Sequence, residues 1–175
     1  MPTPTYTLIA SSTVGAGGAS FIDFSSIPST YTDLVLYISA RSARTTGGTD
    51  SMRIEINNST TNFAYRNLEG NGTSAVSDSG STGLIALLPQ NGGSTGWTSN
   101  TFASTYVYFP NYSGSTNKSF SVDTTTENNA TTSYSNLLAH LWSQTSAINQ
   151  LTLKSVGGAN FVQYSSAYLY GIIKS

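Results

Sequence analysis

Short runs of alternating apolar and polar residues, cut at regular intervals by clusters of Gly, Asn, Ser and Asp, limit what this chain can fold into more than anything else in it. In the run after Pro28, Leu34, Leu36, Ile38 and Ala40 point one way while Val35, Tyr37, Ser39 and Arg41 point the other. That two-residue period is the signature of a half-buried strand. MRIEI repeats it, with Met52, Ile54 and Ile56 on one face and Arg53 and Glu55 on the other. Further candidate strands are YTLIA (6–10), SFIDF (20–24), FAYRNLE (63–69), GLIALL (83–88), FASTYVYF (102–109), KSFSVDT (118–124), NLLAHLWS (136–143), INQLTLK (148–154) and AYLYGIIK (167–174). Between them lie VGAGGAS, TTGGTD, EGNGTS, SDSGSTG, PQNGGSTGW, PNYSGSTN and SVGGAN. These read as turns, because Gly and Asn accept positive φ and Ser and Asp bond their own backbone. NLLAHLWSQ could pass for a helical turn, but it is short and uncapped. No long helix and no solenoid-type repeat is visible.

About eleven short strands with regular turn signals predict an all-β, antiparallel sandwich of jelly-roll type, with about four strands in each sheet. At 175 residues the chain suits one domain with a sizeable core. The expected division is an extended, Pro-bearing arm over residues 1–5 and a sandwich over 6–175. Charged residues make up 9% of the chain, against roughly 25% in an average soluble domain. Disorder usually comes with high net charge and few aromatics, whereas this chain has a net charge of −1 with eleven Tyr, seven Phe and two Trp. Ser, Thr and Tyr in place of charge suit a pleated, half-exposed surface.

A near-zero net charge gives no electrostatic reason to bind nucleic acid or an anionic membrane, so neither is expected as a partner. Without cysteine there is no disulfide framework and no thiolate chemistry. MPTPTYTLIASS lacks the basic and apolar regions of a signal peptide, and no apolar run approaches the roughly 20 residues of a membrane-spanning helix. Synthesis in a cytoplasm is the expectation. Near-neutral surfaces tend to associate, which favours life in an assembly.

Reactive chemistry is sparse. The one histidine, His140, alternates onto the face of Leu138 and Trp142, where a hydrogen-bonded structural role outweighs that of base or ligand. The GSTG phrases at 80–83 and 93–96 are followed by neither Lys nor a helix, so they are not phosphate cradles. A glycosidase needs two carboxylates facing across a cleft; of the eight here Asp123 and Glu127 are the closest pair in sequence, and their strand-end and turn setting favours solvation or a loose Ca²⁺ contact over catalysis. Six N-x-S/T matches, at Asn57, Asn58, Asn71, Asn111, Asn117 and Asn129, are the chance yield of a Ser/Thr-rich chain and are expected to carry no glycan. No catalytic residue, metal site or cofactor is expected, and the chain does not read as an enzyme.

What remains is a basic corner and some aromatics. Arg41 and Arg44 end the best-patterned strand. They are either a solvated edge that resists sheet-to-sheet pairing or, with Arg53 or Arg66, contacts to carboxylates of a neighbouring subunit. Trp97, in GGSTGWTSN, is either a sugar-stacking or intersubunit anchor or part of a loop folded back on its own sandwich. Tyr106 and Tyr108 share one strand face, as do Tyr168 and Tyr170. Such pairs are usually cross-strand packing, but they also suit a wet, partly polar interface. Arg41, Arg44, Trp97, Tyr106 and Tyr108 are therefore the candidate interface residues.

Residues 5–44 (TYTLIASSTVGAGGASFIDFSSIPSTYTDLVLYISARSAR), RIEINNSTTNFAYRNLEGNG at 53–72, FPNYSGSTNKSFSVDTTTENNAT at 109–131 and FVQYSSAYLYGIIKS at 161–175 together resemble small virion proteins of tailed bacteriophages, particularly those of aquatic bacteria and cyanobacteria. The resemblance spans nearly the whole chain in one order. It lies in phrasing and not in a catalytic motif, so it transfers no site residues. It implies a β-sandwich structural component of a phage particle and leaves head or tail open. The expected function is a capsid decoration or cement protein, a homotrimer on the outer surface of the head that clamps neighbouring subunits of the major capsid protein without catalysis. The alternative is a tail or fibre module that binds a host surface glycan through exposed aromatics.

Overall fold

The computed structural model describes residues 5–47, 49–90, 97–128 and 133–173. Its strands are β1 (Tyr6–Thr13), β2 (Ile22–Phe24), β3 (Asp33–Ala40), β4 (Asp50–Ile56), β5 (Phe63–Gly70), β6 (Ala75–Gly80), β7 (Leu84–Leu88), β8 (Ala103–Phe109), β9 (Lys118–Glu127), β10 (Ser133–Trp142), β11 (Leu151–Ser155) and β12 (Ser166–Ile172). They form an eight-stranded sheet, β1-β12-β3-β8-β9-β10-β5-β6, and a four-stranded sheet, β2-β11-β4-β7, with every strand pairing antiparallel.

The pairings nest. β5 and β6 form the innermost hairpin, and β4 pairs with β7, β3 with β8, β2 with β11 and β1 with β12. Successive pairs alternate between the sheets, as in a long hairpin ribbon rolled over on itself, which is the jelly-roll principle. The β9–β10 hairpin interrupts the ribbon's returning arm and inserts between β8 and β5. That insertion helps make the sheets eight and four strands wide in place of the expected four and four.

Alternation delivers one contiguous core. Leu34, Leu36, Ile38 and Ala40 of β3 and Met52, Ile54 and Ile56 of β4 are all buried inside the sandwich. Phe109 and Phe120 meet at 4.8 Å, and Phe120 stacks on His140 at 4.6 Å with their planes 7° apart. Across the gap, His140 Nε2–H donates to the Leu84 carbonyl at 2.7 Å, which ties β10 to β7. The small sheet starts β7 at a close approach. Ile54 N donates to Gly83 O at 2.7 Å, and a Cβ on Gly83 would lie 2.1 Å from Ile54 O. Only a residue without a side chain fits there.

Three departures from the expected strands have local causes. AVSDSG reads as turn chemistry but forms β6, an exposed edge held by its ladder to β5, so no buried face prints a pattern on it. β11 begins at Leu151 and not at Ile148, because Asn57 Oδ1 takes the amides of Asn149 and Gln150, at 2.9 and 3.1 Å. In β1 the register shifts between Leu8 and Ala10, turning Tyr6 and Leu8 outward and Ala10 toward the core. The segment NLLAHLWS is strand and not helix as far as Trp142, within Ser133–Trp142. Of the proposed arm, residues 1–4 lie outside the described residues. The Thr5 carbonyl accepts from Ile173 N at 3.2 Å.

Candidate functional site

The outward face of the eight-stranded sheet differs in its two halves. Cross-strand register places Tyr168, Tyr37, Tyr106, Asp123, Leu137 and Leu68 in one row across β12, β3, β8, β9, β10 and β5. The next row runs Tyr170, Val35, Tyr108, Ser121, Ala139 and Arg66 over the same strands. β12, β3 and β8 thus bring five tyrosines together, joined by Tyr6 from β1. Tyr37 lies 5.3 Å from Tyr106 and 5.9 Å from Tyr170, and Tyr6 lies 6.4 Å from Tyr170. Their rings meet tilted or edge-on, the geometry aromatic pairs favour. Beneath them Val35 is fully buried although it faces outward.

Tyr108 O–H donates to Asp33 Oδ2 at 2.9 Å. That bond and its own burial raise the Tyr108 phenol above its ordinary value, and burial together with Tyr6 and Tyr37 raises Tyr106. Both phenols stay protonated at neutral pH; the Tyr108 O–H is held by Asp33.

β9, β10 and β5 form the other half. Ser119, Ser121 and Ala139 floor an open groove of about 510 Å³ walled by Tyr108 and Pro110 on one side and by Leu137, Leu68 and Arg66 on the other. Leu137 is 56% exposed, Leu68 54% and Tyr37 44%. Leucines of this exposure, facing the tyrosines across the polar outward side of β9, are more than the scattered apolar residues normal on a surface.

The outward face of the small sheet has the opposite character. Glu55 takes Arg53 at 3.0 Å and Lys154 at 2.8 Å. Asp23 accepts from Gln150 Nε2 at 2.9 Å and Thr152 Oγ1 at 2.5 Å. Its charges and polar side chains are consumed within the face.

Several sequence candidates lie elsewhere than expected. Arg41 is 3% exposed and is not a surface edge: its guanidinium donates to the carbonyls of Gln90, Thr98 and Thr101 at 2.6, 2.9 and 3.0 Å. Burial lowers its pKa. It pins loops of its own chain and is not available to a neighbour's carboxylate. Arg44 finds its carboxylate at home, 3.8 Å from Asp50. Asp50 is fully buried and also takes the hydroxyls of Ser42 and Ser155, at 2.5 and 2.6 Å. Trp97 is 8% exposed, its ring 6.4 Å from Tyr134, so the loop end folds back on the sandwich; residues 91–96 lie outside the described residues.

Asp123 and Glu127 stand within β9 and not in a turn, both exposed on the same outward face. Their Cβ atoms are about 13 Å apart at the usual rise, too far to share an ion. His140 is 2% exposed, and burial pushes its pKa down to about 4 against the weaker opposing effect of the Leu84 bond. Of the named candidates, Tyr106 and Tyr108 belong to the sheet face. The leucines of that face escaped notice, although Leu137 beside Leu138 in NLLAHL puts an apolar residue on each face of one strand.

Among the described residues no group of three or more His, Cys, Asp or Glu is placed to hold a metal ion, and no helix is long and apolar enough to cross a membrane. Comparison with known proteins gives no matching family model, curated protein or solved structure.

Proposed function

We propose that this protein is a non-catalytic assembly module, a decoration or cement protein on the outer surface of a phage head that adds buried contacts between neighbouring subunits of the major capsid protein. One observation marks the protein as part of an assembly: the broad face bearing exposed tyrosines and leucines that is left uncovered on the eight-stranded sheet. A surface of that kind is costly to keep in water and gains free energy only when something covers it. The wide resemblance in phrasing to small phage virion proteins supplies the setting. The chemistry near the face is phenols, hydroxyls, leucines and the exposed charges of Arg66, Asp123 and Glu127, which suits adhesion and offers no nucleophile–base pair.

Immunogold labelling of intact particles of the encoding phage tests the reading. Gold distributed over the head supports it. Gold confined to the tail, or particles that remain unlabelled while the free protein is detected, overturns it.

A second reading, a tail or fibre module binding a host glycan, is favoured by the exposed Asp123 standing beside the half-buried Tyr106, with the exposed Tyr37 one strand beyond. Sugars stack on an open ring face, whereas Tyr37 meets Tyr106 and Tyr170 at 56° and 84° and so offers no flat platform. A glycan array bound through Tyr37 and Asp123 would reverse the preference.

A further inference from the structure

The two halves of the eight-stranded face are complements of each other, and we infer that the face is covered by a second copy of this chain, related by a two-fold axis that runs along the strands between β8 and β9. This inference rests on the assembly reading above and names the first partner in it.

The order β1-β12-β3-β8-β9-β10-β5-β6 divides between β8 and β9 into four strands on each side. A two-fold axis along that line, lying in the interface, carries β8 onto β9 of the partner, β3 onto β10 and β12 onto β5, and keeps each cross-strand row opposite itself. In the first row Tyr37 then faces Leu137 of the partner subunit, Tyr168 faces Leu68 of the partner subunit, and the Tyr106 hydroxyl meets Asp123 of the partner subunit. In the second row Tyr108 meets Ser121 of the partner subunit, and Tyr170 lies over Arg66 of the partner subunit, a ring-to-guanidinium contact. Tyr108 of each copy enters the groove over Ser121 of the partner subunit, and symmetry makes every contact twice.

Charge agrees with this placement. Arg66 and Asp123 take part in no ion pair among the described residues, and each is brought to a tyrosine, the one residue type here that serves both a cation and an anion. Area agrees as well. Eight strands about 4.8 Å apart and about seven residues long cover roughly 34 by 23 Å, or about 800 Å² for each copy. That matches the roughly 800 Å² a side of a standard stable interface. Aligned face-to-face packing of two sheets is a normal arrangement.

The test uses the full chain at about 50 μM, with mass read by light scattering on a sizing column. Twice the 18.4 kDa chain mass is expected. Tyr37→Lys and Leu137→Glu, both at exposed positions, are each expected to weaken association at least 100-fold while leaving the far-UV spectrum of the monomer unchanged. The double variant Tyr37→Lys/Leu137→Glu is expected to restore the dimer. Within one chain these positions are three strand spacings, about 14 Å, apart, so an internal ion pair cannot produce that rescue.

A monomer at this concentration overturns the inference, as does a three- or four-fold mass. A dimer indifferent to both single substitutions also overturns it, and so does a folded double variant that stays monomeric. Particle labelling reads the assembly function and solution mass reads the two-fold pairing, so failure of one is distinguishable from failure of the other.

Discussion

Lowering the pH should weaken this fold through one side chain. His140 is wedged against Phe120 and Tyr65, with Nε2–H on the Leu84 carbonyl and Nδ1 without a hydrogen-bond partner. A second ring proton would have no acceptor, and the charge would sit in the core. Burial accordingly holds the folded pKa near 4 against an ordinary 6.5. The unfolded chain therefore takes up the proton first. The contribution of neutral His140 is present in full above about pH 6.5 and is lost as pH falls toward 4. A shift of about 2.5 units, at about 1.36 kcal/mol each, amounts to about 3 kcal/mol. That is a large part of a typical stability of roughly 5–15 kcal/mol.

Urea unfolding of the wild type and of His140→Phe at several pH values between 7.5 and 4 isolates the term, because both proteins share the same carboxylates. The phenyl ring keeps the stack on Phe120 and cannot titrate. Between pH 7 and 4 the wild type should lose about 3 kcal/mol more than the variant. Parallel curves for the two proteins would refute the reasoning, because they would mean that His140 takes its proton without unfolding.

Arg41→Ala should cost about 2–4 kcal/mol in the same unfolding assay, because the buried carbonyls of Gln90, Thr98 and Thr101 lose a donor that water cannot easily replace; a loss under about 0.5 kcal/mol would place Arg41 among solvated residues. Gly83→Ala should cost about 2 kcal/mol or more, since its methyl group meets the Ile54 backbone oxygen, whereas Gly15→Ala, with nothing within 4 Å, should be close to neutral. The dimer mass should be unchanged between about 50 and 500 mM NaCl, because the proposed interface holds few charges to screen, and a mass that falls to the monomer in high salt would show that ion pairs dominate it.

Where alternation meets a core the architecture is plain in the residues, and where it does not it is hidden. β3 and β4 could be read side chain by side chain, because one face of each is sealed and every second residue must be apolar. β6 was invisible for the reverse reason. With neither face covered, AVSDSG is composed as a turn would be. The bulge in β1 was likewise hidden, since YTLIASST obeys no single parity once Tyr6 and Leu8 face out and Ala10 faces in.

The site suffered from a related ambiguity. A Tyr on the outward side of a strand looks the same whether it packs on a neighbour or waits for a partner. Only the register reveals that Tyr37, Tyr106 and Tyr168 share a row, because the residues that align them are 131 positions apart at the extremes (168 − 37 = 131). Arg41 misled by its type. A guanidinium at the end of a strand usually ends in water, and nothing local in SARSART announces that loop carbonyls from positions 90, 98 and 101 will converge on it.

The scarcity of charge acquires a physical sense from where the few charges go. Asp50, Arg41 and Lys118 are buried, and each is surrounded by hydroxyls, amides or carbonyls; Lys118, for one, donates to the carbonyls of Gly114, Thr116 and Thr145 at 2.6, 2.5 and 3.3 Å. They fasten loops at the ends of a sandwich whose strands are joined by long irregular connections. Arg53, Glu55 and Lys154 neutralise one another on the small sheet. The broad face of the eight-stranded sheet is left with Arg66 and Asp123 in its central rows, among phenols and leucines. A chain selected only for solubility would place charges there, because that face exposes leucines and tyrosines and is open to unwanted pairing. A face so sparing of charge, beside charges spent in the interior, makes sense if it is normally covered, and a partner with the same surface is the copy already present.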